Sequence, residues 1–407
     1  MMKGLRIGII REGKIPSDFR APLTPMQCVA VGKLFPSLKI VVQSSAVRAF
    51  KDIEYTALGI DVVEDLEDCD VVFGIKEVPI EALIPNKTFF FFSHTIKKQP
   101  YNRLLLKSIL EKKIQLIDYE VIRDLNNNRL IGFGRYAGIV GCYNAFLTYG
   151  LKSGRYVLKP AHACFDRIEV ENELKKVNLP ADFRIVLTGF GRVGHGAAEI
   201  IRLLPIQQKT PTEFLEGQFS QPIYTQLQSV DYYANKLEQS FDKKHFYKHP
   251  ENYISIFPKF LALCDMYIPC HFWDSRSPKI IVQADLNVPN RRVKVIADIS
   301  CDTAGPIAST IRASKISDPI YGYDPATGLE VNFMNEEAVA VMAIDNLPCE
   351  LPRDASEGFG EELIKIVLPK LLGDDSDRIL ERGSETNKNG ELMPEFYYLK
   401  EYVSGMS

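Results

Sequence analysis

The stretch Gly189-Phe190-Gly191-Arg192-Val193-Gly194 places the tightest constraint on the fold of this chain. It directly follows an apolar run at 184–187 that reads as a strand, and it opens an apolar-periodic run at 193–204 that reads as a helix. In that context each glycine has a separate task. Gly189 permits the tight turn, Gly191 lets backbone approach a pyrophosphate, and Gly194 allows close packing of helix on strand, with the orphan N–H groups of the helix aimed at the anion. The pattern predicts a dinucleotide site in a parallel α/β sheet. The acidic residue that should meet the adenosine ribose about 20 residues on is displaced. The next strand arrives only at 223–226, after an insertion covering 207–220, and the first carboxylate beyond it is Asp231. The adjoining Gln228-Ser229-Val230 offers no cation for a 2′-phosphate, so NAD is expected in preference to NADP.

Strand-like runs at 5–10, 40–43, 70–75, 88–92 and 114–117 alternate with helix-compatible segments in the first third, and a Thr24-capped helix with Pro25 at its first position is expected to reach Phe35. A Gly-punctuated helix at 136–151 precedes the second alternation, with strands at 184–187, 223–226, 266–269 and 293–299. A tail helix is expected over 356–372, with Ser356 near its N-terminus. The fold class is therefore α/β, with two Rossmann-like doubly wound domains and parallel sheets. A length of 407 residues suits two or three domains.

The charge balance excludes some partners. Lys plus Arg number 49 against 52 Asp plus Glu, with no block of either sign, so nucleic acid and membrane are not expected as partners. The N-terminus leads into too short an apolar run for a signal peptide, which predicts a cytoplasmic protein. Eight scattered cysteines without a C-x-x-C pair are expected to be free and packed, and no metal site is expected.

Three ionisable residues fall at or just beyond the ends of the first-domain strands: Arg20, Lys76 and His94. A parallel sheet raises all three on one edge. With Arg129 they would form a carboxylate-binding cleft that offers a Lys and a His for proton transfer.

At these residues the chain resembles the saccharopine dehydrogenase (L-lysine-forming) and lysine–ketoglutarate reductase family, within the wider alanine dehydrogenase/transhydrogenase superfamily. The resemblance rests on Arg20-Ala21-Pro22-Leu23-Thr24-Pro25, Phe91-Phe92-Ser93-His94-Thr95-Ile96-Lys97, Leu116-Ile117-Asp118-Tyr119-Glu120, His249-Pro250-Glu251-Asn252-Tyr253-Ile254-Ser255, and Ile344-Asp345-Asn346-Leu347-Pro348-Cys349-Glu350-Leu351-Pro352. It implies NAD-dependent interconversion of saccharopine with L-lysine and 2-oxoglutarate, through an imine and hydride transfer. By matching position, Lys76 and His94 would be the acid–base pair, and Arg20 and Arg129 would pair with substrate carboxylates. Lys97 and Glu120 would lie at the substrate, Glu120 facing the lysine ammonium, and Asp345 would lie near nicotinamide and substrate.

The chain path of the family implies a substrate domain of 1–135 plus 352–407, a dinucleotide domain of 136–351, and an active-site cleft between them. Its oligomeric state is left open, and a monofunctional enzyme is expected. The long insertion resembles the family's animal reductases, which use NADPH, whereas Ser229-Val230-Asp231 is less basic than their matching segment. Two alternatives remain: alanine dehydrogenase-like amination of a 2-oxo acid, and a catalytically silent NAD-binding protein.

Overall fold

The computed structural model describes residues 4–237, 239–373 and 375–405; Met1–Lys3, where the leader reading begins, lie outside the described residues. The chain divides into two compact units, residues 1–133 with 352–407 and residues 134–351.

The first unit is built on a six-stranded, wholly parallel sheet. Its strands are β1 (Arg6–Ile9), β2 (Lys39–Gln43), β3 (Asp61–Val63), β4 (Val71–Phe73), β5 (Thr88–Phe91) and β6 (Gln115–Asp118), in the order β3-β2-β1-β4-β5-β6. Val71–Phe73 and Thr88–Phe91 are buried at every residue, as strands covered on both faces must be. The edge strand β3 escaped the sequence reading because its three residues, Asp-Val-Val, are only partly covered and show no apolar run. The helix Pro25–Leu34 starts at the expected cap, where Thr24 Oγ1 accepts the Gln27 N–H and the Gln27 side chain reciprocates at the Thr24 N–H.

The returning tail also belongs to this unit. Its helix begins at Pro352, not at Ser356, and passes through one π-turn at Leu363–Val367 before ending at Leu371. Ser356 is no cap. It is buried inside the helix, donating to the Pro352 carbonyl at 2.6 Å and accepting the Ala21 N–H at 2.8 Å, so its hydroxyl ties the tail to the chain beside Arg20.

The second unit holds an eight-stranded sheet. Its strands, with a separate pair, are β7 (Arg184–Thr188), β8 (Gln207–Lys209), β9 (Ile223–Leu227), β10 (Tyr233–Asn235), β11 (Tyr253–Ser255), β12 (Met266–Pro269), β13 (Val295–Ala297), β14 (Ile320–Asp324), β15 (Leu329–Val331) and β16 (Val339–Met342). The order is β15-β14-β16-β13-β12-β7-β9-β8, while β10 and β11 form an antiparallel pair of their own.

Two sequence expectations are corrected here. The sheet is not wholly parallel, because β14 runs antiparallel to both β16 and β15. The segment 207–220 is not a bare insertion: it supplies the parallel edge strand β8 beside β9 and a helix, Pro211–Glu216, whose Thr210 and Glu213 form a capping box. The strand was missed because Gln-Gln-Lys carries no apolar signal.

The Gly-punctuated helix Gly134–Ser153 lies on the helix Arg192–Ile201, and the glycines set how closely. A Cβ on Gly138 would fall 1.9 Å from the Val193 carbonyl oxygen, and one on Gly196 would fall 2.0 Å from that of Arg135. All eight cysteines are free. Among the described residues no three His, Cys, Asp or Glu side chains gather as a metal would require, and no helix is long and apolar enough to cross a membrane.

Candidate active site

The glycine-rich turn leaves the carboxyl end of β7 with Gly189 at φ +96°, the left-handed region that favours glycine. The turn also passes close to β12, since a Cβ at Gly189 would fall 2.5 Å from the Cys270 carbonyl oxygen. Gln226 of β9 fixes the turn by donating from Nε2 to the Gly189 carbonyl at 2.8 Å. Gly194 closes the same turn, because its Cβ would lie 2.1 Å from that carbonyl. Gly194 thus lets the helix lie close against the strand end, while Gly138 and Gly196 set the packing of helix on helix.

Gly191 is different: a Cβ there would meet nothing within 4 Å. It caps the ten-residue helix Arg192–Ile201, so open space lies where the helix offers its unpaired N–H groups. These residues fit a dinucleotide pyrophosphate. Arg192 is exposed at the start of that helix and Val193 is half-buried beneath it.

A cavity of 810 Å³ adjoins the turn, lined among others by Gly189, Gly191, Ser229, Lys243, Tyr247 and His271. Asp231 is not among its lining residues. Its carboxylate accepts the Gln228 N–H at 2.7 Å and so caps its own short turn, Ser229–Tyr232, next to Gln228, Ser229 and Val230 of the cavity wall. Lys243 brings a cation to the cavity from beyond the segment in which the sequence offered none.

Further along the same sheet edge, Asp298 is fully buried after β13 and accepts hydrogen bonds from the Ser300 hydroxyl at 2.5 Å and the Thr310 hydroxyl at 2.6 Å. It anchors a loop in which Cys301 and Ala304 take positive φ without being glycine. That loop presents Asp302 to a 590 Å³ hollow, where burial and then the charge of Asp298 push the Asp302 carboxyl upward. Sequence reasoning passed over Asp302, although it stands just past a strand end, as Lys76 and His94 do. Asp345 lies exposed beyond β16.

In the first unit the strand ends assemble a chain of ion pairs. Glu12, after β1, accepts the N–H groups of Ile75 at 2.7 Å and Lys76 at 2.9 Å, so it fixes the backbone that carries the lysine. Burial and then Asp18 raise the Glu12 carboxyl to about 8. Burial and then Arg20 push the Lys76 ammonium below its usual value, the direction that proton transfer near neutrality needs.

His94, at φ +56°, is held by Glu77: its Nδ1 is 2.6 Å from Glu77 Oε1, while Lys14 Nζ is 2.7 Å from Glu77 Oε2. Burial works against ionised Glu77, yet the bonds from His94 and Lys14 bring its carboxyl down to about 2. Because Glu77 follows Lys76 in the chain, it links the two residues expected to move protons.

Arg20 is buried and paired within the first unit. Its Nε donates to Asp18 Oδ1 at 2.9 Å and its Nη2 to Oδ2 at 2.5 Å, with the guanidinium 4.1 Å from the Phe133 ring centre. This fork is spent inside the protein, where it holds the buried Asp18 carboxyl well below its usual range against the cost of burial. Glu120 is the meeting point of the remaining expected residues, with Lys97 Nζ at 3.3 Å and Arg129 Nη2 at 2.8 Å. Burial disfavours its charge, but these two cations leave its carboxyl below the ordinary range.

Residues 8–140 match the family model of the alanine dehydrogenase/PNT N-terminal domain. Alpha-aminoadipic semialdehyde synthase of Arabidopsis thaliana is 32% identical over 88% of this chain, which spans 37% of that protein's length. Saccharopine dehydrogenase [NAD(+), L-lysine-forming] of Schizosaccharomyces pombe is 26% identical over 89% of this chain and 91% of its own. Over most of its length the chain is thus similar to saccharopine dehydrogenases and to part of the semialdehyde synthases. Among solved structures, an L-alanine dehydrogenase superposes with a TM-score of 0.67 at 16% identity, covering 99% of this chain and 100% of that one, and so shares the fold. The chain spans less than half the length of the semialdehyde synthases it matches, 37% for the plant protein and 47% for that of Rattus norvegicus.

Proposed function

We propose that the chain is a saccharopine dehydrogenase, joining L-lysine to 2-oxoglutarate with NADH and reversing the reaction with NAD. The observation that carries this reading is the Lys76–Glu77–His94 set on one edge of the first sheet. It offers a lysine of depressed basicity and a histidine held by a carboxylate, two groups suited to the successive proton transfers of imine chemistry. The first unit would take the substrates and the second the dinucleotide.

Condensation of the lysine ε-amine with the 2-oxo group needs a proton delivered to the leaving water. His94, oriented through Nδ1 by Glu77, would supply it from Nε2. Lys76 would take the proton released from the secondary amine in the oxidative direction, its charge disfavoured by burial and Arg20. Glu120, between Lys97 and Arg129, would receive the substrate ammonium, and the two cations would face its carboxylates. Asp302 and Asp345, past the ends of β13 and β16, would stand on the nicotinamide side. The bound dinucleotide supplies or accepts hydride; the backbone of Gly189–Gly194 would hold its pyrophosphate.

The test is oxidation of NADH by the protein with 2-oxoglutarate plus L-lysine, beside pyruvate plus ammonia and beside NADPH. Lysine-dependent oxidation with NADH above NADPH is the expected result. Ammonia-dependent activity would move the chain to alanine dehydrogenase chemistry. A preference for NADPH that Lys243→Met abolishes would assign Lys243 to a 2′-phosphate.

A further inference from the structure

Behind the His94 loop lies a buried cluster that the reaction above does not use. Asp118, the last residue of β6, and Glu385, from the returning tail, are both fully buried, as are Ser93 and Thr95 on either side of His94. The four side chains form a row that folds back on itself, since Glu385 Oε1 also lies 3.2 Å from Ser93 Oγ. Glu385 Oε2 contacts Thr95 Oγ1, Thr95 Oγ1 is 2.7 Å from Ser93 Oγ, and Ser93 Oγ is 2.5 Å from Asp118 Oδ2. Each of these three oxygen–oxygen contacts needs one proton. The two hydroxyls bring two, and an ionised carboxylate brings none. With both carboxylates charged, one contact would set lone pair against lone pair in a fully buried site.

We propose that Asp118 and Glu385 hold one proton between them through Ser93 and Thr95, and that this protonated row is the positioning device that keeps His94 in its left-handed conformation for proton transfer. The role in catalysis rests on the saccharopine dehydrogenase reading; the shared proton does not. The row runs in one sense, from the Glu385 carboxyl to Thr95, on to Ser93, and from the Ser93 hydroxyl to the Asp118 carboxylate. The remaining bonds agree with a charged Asp118: its Oδ2 also accepts the Ser93 N–H at 2.9 Å, and its Oδ1 accepts the Glu120 N–H at 2.7 Å. Glu385 receives no backbone N–H on its carboxyl among the described residues.

The titratable surroundings favour retention of the proton. Glu120 adds negative charge beside Asp118, and Tyr119, Tyr398 and Tyr402 face the pair as neutral phenols. Among the described residues no Lys, Arg or His is paired with either carboxylate; Lys97 and Arg129 are drawn to Glu120, and Lys98 lies 5.3 Å from the Tyr398 ring centre. Burial, and for Glu385 the nearby Asp118, push both carboxyls above their usual range. The clamp matters because a non-glycine residue at positive φ holds its place only when its neighbours fix it.

Infrared difference spectra at neutral pH test the proton without any turnover. Subtracting the Glu385→Gln spectrum from that of the native chain should reveal one lost carboxylic-acid carbonyl band that shifts in D2O. Nuclear magnetic resonance of the His94 ring tests the clamp. Glu385→Gln, whose amide still donates to Thr95, should keep the His94 resonances and leave kcat within about threefold. Glu385→Ala and the isosteric Thr95→Val should shift those resonances and lower kcat by roughly ten- to a hundredfold, with NADH affinity unchanged. No lost carbonyl band in Glu385→Gln overturns the shared proton. Unmoved His94 resonances in both Glu385→Ala and Thr95→Val overturn the positioning role. If lysine-dependent turnover is absent altogether, the saccharopine reading fails while the spectra still decide the proposal.

Discussion

The two units use the carboxyl ends of their parallel strands in opposite ways. In the first, the carboxyl ends of β4, β5 and β6 carry ionisable side chains, Lys76, Glu77, His94, Asp118 and Glu120, tied to one another by ion pairs and buried hydrogen bonds. In the second, the end of β7 carries glycine, and the groups turned to open space are backbone amides at the start of a helix. The contrast teaches that strand direction selects the edge while the residues after each strand select the chemistry. Ionisable side chains there suit proton transfer, and bare backbone there suits an anion.

The sharpest way to break this comparison is to put a side chain where the second unit needs none. Gly189→Val combines an unfavourable φ of +96° with a Cβ 2.5 Å from the Cys270 carbonyl oxygen, so NADH affinity should fall by about a hundredfold or more in a fluorescence titration. Lys76→Met and His94→Gln should do the reverse, lowering kcat by about 10²- to 10⁴-fold with NADH affinity intact. Near-normal turnover in both would remove the acid–base assignment from the first unit.

Glu77 gives a pH-dependent prediction. Its carboxyl lies at about 2 in the folded chain against an ordinary 4.5, so its stabilising contribution is complete above 4.5 and is lost as pH falls toward 2. Glu77→Gln should therefore flatten the decline of the urea midpoint over that window, and an unchanged acid limb would contradict the ion pairs with His94 and Lys14. The smallest effect is expected from Asp231→Ala. With its carboxylate spent on the Gln228 N–H, the variant should lose about 1 kcal/mol of stability or less and change NADH affinity under threefold. A tenfold loss of NADH affinity would return Asp231 to the ribose.

Nine strands were legible to within a residue or two, as were the Thr24 cap and the glycine turn, because each is a local pattern, but β14 and the wholly buried apolar run of β16 were passed over. The short edge strands β3 and β8 were not, since half-exposed polar residues carry no such pattern. Lys76, His94, Lys97, Glu120 and Arg129 were picked out as candidates; His94 pairs with Glu77, the residue after Lys76, while Lys97 and Arg129 pair with Glu120. Arg20 was given to a ligand because nothing in Asp18-Phe19-Arg20 reveals that the carboxylate two residues away closes onto the fork.

The sequence by itself determined the α/β class, the strand edge on which ionisable residues gather and the glycine turn that opens a helix. These follow from hydrophobic period, strand direction and the steric freedom of glycine, all of which act over a few residues. Only the tertiary structure decided which charges are spent on one another. Asp18 takes Arg20, Glu77 takes His94, and Glu385 returns across 290 residues of chain to meet Thr95, because a buried polar group must find its partner wherever the packed chain brings one.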